Sequence, residues 1–173
     1  MKHMIPALGI LALTGCLSVN PVTLLRLAAL DPLTADPTGM AVQMDLPDGV
    51  GVTDGSAFVR LQAETEGGAQ FDEVFALVAS AQQVWRIDPN EQDRFRAAQA
   101  RAAAWERAAP DATNGSFGAS FSPCRLGEGP AEDAFVSINI QLEPEASFLP
   151  LLSEVPILSL VEEGDMEALR PCG

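Results

Sequence analysis

An α+β, mainly β fold is predicted for this chain: an antiparallel sandwich or curved sheet of seven to eight strands, crossed by one helix. Three observations predict it. Short apolar runs alternate with polar residues at period two along most of the chain. Asp-Gly at 48–49 and 54–55 and Asn-Gly at 114–115 punctuate those runs as turn signals. One long segment, about 89–109, departs from period two and reads as a helix.

Taken in order, TLLRLAAL (23–30) and EVFALVAS (73–80) are apolar nearly throughout, as expected of central strands. In MAVQMDL (40–46), Met40, Val42, Met44 and Leu46 alternate with Ala41, Gln43 and Asp45. SAFVRLQAE (56–64) and SFGASFSPC (116–124) repeat the alternation with weaker contrast. FVSINIQL (135–142) sets Val136, Ile138, Ile140 and Leu142 on one face and Phe135, Ser137, Asn139 and Gln141 on a solvated one. VPILSLVE (155–162) reads as a last strand, with Pro156 suited to a strand start or an edge. The helix has Asp88 in the N-cap position, Pro89 at its first residue, Glu91 three residues after the cap and Pro110 as its stop. Phe95, Ala98, Ala102, Trp105 and Ala109 share one face, where small residues allow close approach to a sheet.

Residues 1–15 have another character. Met1, Lys2 and His3 make a short basic start, Met4 to Leu13 an apolar core, and Thr14 and Gly15 a pair of small residues before Cys16. A membrane-spanning helix needs roughly 20 apolar residues, more than this run supplies. Leu13-Thr14-Gly15-Cys16 resembles the lipobox of bacterial lipoproteins; the competing reading is a buried cysteine closing a core helix. The resemblance covers only the first 16 residues. It implies cleavage before Cys16, lipidation of its sulfur and acylation of the new amino terminus. Two or more acyl chains anchor a protein firmly where one anchors it marginally. Leu17, in place of the Asp that favours inner-membrane retention, implies an outer-membrane anchor facing the periplasm. The chain then divides into a signal peptide (1–15), a short tether (16–21) and a single periplasmic domain (22–173). So short a tether keeps the domain close to the bilayer.

Cleavage leaves 158 of the 173 residues and removes the only lysine, Lys2, and the only histidine, His3. The formal charge moves from −14 to −15, with nine arginines against 24 acidic residues. Nucleic-acid phosphates call for clustered Lys and Arg, so no nucleic-acid partner is expected. Electrostatic attachment to anionic lipid is disfavoured as well, so the membrane contact is the lipid on Cys16. Without histidine there is no Ser-His-Asp or Cys-His nucleophile and no His-containing zinc site. Without lysine there is no P-loop, Schiff base or Ser-Lys dyad. GVGVTDG (49–55) misses the GxGxxG spacing and reads as a turn-rich loop. No EF-hand spacing occurs, and neither a metal nor a cofactor is expected.

Cys124 and Cys172 are the other two cysteines. An even pair in an oxidising compartment reads as a disulfide, and C-x-x-C redox spacing is absent. Closing a loop of about 50 residues contributes roughly 4 kcal/mol in the chain-entropy model. Positive charge gathers on the helix, where Arg94 and Arg96 have acidic partners at i−3. Arg101 and Arg107 have none at three or four residues within the helix, which makes them candidate partner contacts or neutralisers of acid-rich loops on the same domain.

Three functions are compatible with these residues. A non-enzymatic lipoprotein that binds an envelope protein or aids an assembly fits the anchor and the missing catalytic types. A periplasmic carrier of an apolar ligand is the alternative, and requires an apolar cavity of several hundred Å³. A glycan hydrolase using carboxylates alone, with candidate pairs Glu132-Asp133 or Glu162-Glu163, is the third; it requires two carboxyls facing one cleft.

Overall fold

Period-two alternation becomes a two-faced sheet. A computed structural model describes residues 33–80, 83–159 and 169–173. Within them the strands are β1 (Ala41–Asp45), β2 (Val50–Val52), β3 (Phe58–Thr65), β4 (Gln70–Ser80) and β5 (Val84–Ile87). They continue, after helix α1 (Gln92–Ala108), with β6 (Thr113–Ser120), β7 (Pro123–Arg125), β8 (Phe135–Gln141) and β9 (Leu149–Pro156). Seven strands form one antiparallel sheet in the order β6-β3-β4-β5-β1-β8-β9, and β2 pairs with β7 separately. The sheet curls into a half-barrel, so the curved-sheet form of the expected fold is the one adopted, with one α-helix among the described residues.

The concave face carries the core. Val59, Leu61 and Ala63 of β3, Phe75 and Leu77 of β4, Trp85 and Ile87 of β5 and Met44 of β1 are all buried. The antiparallel register sets Val59 opposite Phe75, Leu77 opposite Ile87 and Val42 opposite Trp85, so these side chains share one side. Helix α1 packs over this face at the β3–β4–β6 end. Phe95, with no exposure, meets Phe75 edge-to-face at 4.9 Å between centroids and Phe117 at 6.0 Å. Ala98 and Ala102 are buried as their stripe predicts, while Trp105 is half-buried and tilts against Phe71 at 5.5 Å.

Several expectations are corrected. The helix starts at Gln92 with Glu91 in the N-cap position, because Asp88, Pro89 and Asn90 form a turn of their own. Asp88 Oδ1 accepts from the Asn90 N–H and Nδ2, and its carbonyl accepts from the Glu91 N–H at 2.8 Å. Asn114-Gly115 lies inside β6; the chain reverses earlier, in a 3-10 turn at Pro110–Ala112. GVGVTDG is a strand at Val50–Val52 before its turn. β4 is internal yet solvated on its convex side, where Val74 and Val78 are exposed. The last strand is Leu149–Pro156, with Pro156 at its end, and a 3-10 turn at Ile157–Ser159 follows. Ile157 there drops into a small core with Val50 and Val136. Gln141, expected on the solvated face, is buried: its Oε1 accepts from Arg86 Nη2 at 3.0 Å and its Nε2 donates to the Ala146 carbonyl at 2.7 Å. The strand expected at 23–30 lies outside the described residues, as do residues 160–162 of the expected last strand.

A corner formed by β2, β7 and the C-terminal residues closes one end. Cys124 and Cys172 sit with sulfurs 2.05 Å apart and Cα atoms at 5.0 Å, the expected disulfide. Around it the Arg125 N–H donates to the Arg170 carbonyl and the Cys172 N–H to the Arg125 carbonyl, so the tail runs beside β7 as a short parallel bridge. Close approach explains two glycines. A Cβ on Gly51 would stand 2.9 Å from the Cys172 sulfur, and one on Gly49, already at φ +86°, 2.3 Å from the Gly129 backbone.

Candidate functional site

The interior of the half-barrel is not wholly filled. A cavity of about 370 Å³, partly open to solvent, lies along the concave face. Each strand of the seven-stranded sheet contributes to its wall: Val42 from β1, Val59 from β3, Leu77 from β4, Trp85 and Ile87 from β5, Phe117 and Ala119 from β6, Ile140 from β8 and Leu151 from β9. Met40, Leu142 and Ala35 complete an almost wholly apolar lining. The walls arise from the alternation itself, since residues two apart on a strand face one side and the curl brings β6 and β9 around the same space.

The polar group in this wall is neutral and spoken for. Gln141 uses its amide on Arg86 and Ala146, leaving no charge in the lining. Such a wall suits a molecule that brings no charge of its own into the cavity; its volume falls within the range of small-molecule sites, at the lower end. It can hold an apolar body by dispersion and by release of water, at roughly 25 cal/mol per Å² of apolar surface covered.

The helix arginines are positioned differently from one another. Arg101 pairs with Glu73 of β4, and its guanidinium carbon stands 3.8 Å from the Phe71 ring centroid. Arg94 reaches Glu73 at 3.2 Å as well as Glu91, with its guanidinium 4.2 Å from the centre of Phe75. Arg101 therefore neutralises an acid of its own sheet. Glu73 lies twenty-eight positions before it, which local spacing could not disclose. Arg107 is exposed in the last helical turn, where a cation suits the helix dipole. The two candidate contacts thus do not form one site.

Other sequence candidates separate as well. Glu132 and Asp133 are exposed in the turn before β8, while Glu162, Glu163 and Cys16 lie outside the described residues. Asp36 has its carboxyl held below the usual value, mainly by the Thr38 N–H donating to it at 3.0 Å, with Arg96 at 3.3 Å adding to the effect. That pairing steadies the segment whose Ala35 carbonyl accepts from buried Gln99 at 2.9 Å. Sequence reasoning missed the cavity wall as a set, because a period-two pattern identifies the inward face without revealing whether the interior is full.

No protein-family model, curated protein or solved structure matches the chain.

Proposed function

We propose that this protein is an envelope lipoprotein, held at the outer membrane by lipid on Cys16 and facing the periplasm, whose half-barrel binds one apolar ligand without transforming it. The observation that carries this reading is the apolar cavity walled by all seven strands. A ligand of one extended hydrocarbon chain with an uncharged or outward-facing head fits its volume and its neutral lining. The short tether supports the same reading by keeping the cavity within reach of the bilayer from which such molecules come. The absence of histidine and lysine from the mature chain favours carriage over chemistry.

The test is to purify the full lipidated protein from envelope membranes and identify what is extracted with it. One apolar molecule per chain, beyond the covalent lipid, is expected. Ala119→Trp, at the exposed part of the cavity wall, should fold normally and carry none. Equal recovery from both proteins would count against the reading. Metabolic labelling with a radioactive fatty acid tests the anchor separately, and should fail in Cys16→Ser.

A protein-binding role draws support from a different feature, β6, which is an edge strand among the described residues.

A further inference from the structure

Among the described residues the half-barrel has two edge strands, β6 and β9, and only β9 is protected. β9 carries Pro150 and Pro156, its pairing with β8 shifts register twice, and Glu154 has φ +51°. Proline, bulges and irregular backbone are the usual means of preventing another strand from adding. β6 has none of them. Thr113–Ser120 contains no proline and no charged residue, and it pairs with β3 over eight consecutive residues without a shift.

The outer side of β6 presents donors. The Glu66 N–H donates to the Ala112 carbonyl, one step beyond the pair Thr65↔Thr113. Antiparallel alternation then turns the N–H groups of Asn114, Ser116 and Gly118 toward β3 and those of Gly115, Phe117 and Ala119 outward. Among the described residues no strand pairs with that side. β6 is also largely exposed.

Charge identifies the kind of strand that fits. The groove on one side of β6 is lined by Glu64 with Asn114, Gly115 and Ser116; the groove on the other is lined by Glu106 with Thr113, Gly115 and Phe117. Asp111 and Glu66 flank the same end, and Arg60, opposite Gly118, is engaged by Asp72 at 3.1 Å. Arg107 adds one positive charge in the same helical turn as Glu106. A second copy of this chain would bring like carboxylates together. A strand bearing Lys or Arg would gain from both grooves.

We infer that β6 is a strand-addition site for an extended, basic segment of a partner protein, which pairs with the outward amides of Gly115, Phe117 and Ala119 and sets its cations beside Glu64 and Glu106.

The experiment uses the full chain and two synthetic eight-residue peptides, one alternating Val with Lys and one alternating Val with Glu. The basic peptide should bind, slow hydrogen exchange at Gly115, Phe117 and Ala119, and lose affinity with added salt; the acidic peptide should not bind. Gly115→Pro removes one outward donor and no ladder bond to β3, so its melting temperature should stay near wild type while binding falls at least tenfold. Glu64→Gln with Glu106→Gln should weaken the basic peptide and leave the fold intact. Equal binding of both peptides, or full binding to folded Gly115→Pro, would overturn the inference. So would protection of those amides in the free protein. Concentration-dependent protection would assign the edge to a second copy, and concentration-independent protection to the chain's own preceding residues 23–30.

Discussion

Phe95 and Trp105 lie on one helical stripe, but burial separates their contributions. Phe95 is inaccessible and touches two other rings, so Phe95→Ala should cost about 3–5 kcal/mol in urea unfolding. Trp105 is half-buried with Phe71 as its ring partner, and Trp105→Ala should cost clearly less than Phe95→Ala. The two charged candidates divide in the same way. Arg101→Glu would place a second carboxylate against Glu73 and remove the cation over Phe71; because the pair is partly solvated, the loss should be about 1 kcal/mol or less. Arg107→Glu should stay within about 0.5 kcal/mol of wild type. An equal loss in both variants would contradict the assignment of Arg101 to the sheet. Lowering the pH adds a directional check. Asp36 has a depressed folded-state value, so its contribution is fully present above the ordinary 3.8 and fades as pH falls through the lowered value.

At the scale of elements, the disulfide corner is the most exposed to test. Cys124 and Cys172 span 48 positions, and replacing both with serine should lower stability by roughly 4 kcal/mol if the chain-entropy account holds. The loss should match that of wild-type protein under reducing conditions; a stable, unchanged domain after reduction would refute the staple. The elements themselves were legible where one physical signal dominated. Alternation located β1, β3 and β8, and the alanine-rich stripe located α1, because burial of one face is written directly into residue spacing. Capping and turn chemistry misled where two local arrangements compete: Asp88 forms its own turn in place of a cap, and Asn114-Gly115 is drawn into β6 by the long pairing with β3. Long-range partners such as Arg101 with Glu73, Arg86 with Gln141, and Gln99 with Ala35 were illegible, since only the folded topology brings them together.

The whole molecule combines three features that the sequence reads only separately: the Leu13-Thr14-Gly15-Cys16 motif on which the proposed anchor rests, a strongly acidic composition and an inward apolar face. Curling the seven-stranded sheet turns that face into a cavity, and among the described residues it leaves two edges of unequal protection. Cavity and edge are distinct in chemistry, one neutral and apolar, the other polar and flanked by carboxylates, so their ligands should not compete by charge. The proposed function requires that the cavity hold an apolar molecule. The direct measurement is calorimetric titration of dodecanol, an uncharged single-chain probe, into the mature chain carrying Cys16→Ser, which has no covalent lipid of its own. Saturable binding of one dodecanol per chain with a negative heat-capacity change is expected, lost in a folded Ala119→Trp protein. Absence of saturable binding, or binding that Ala119→Trp leaves unchanged, would contradict the proposed function.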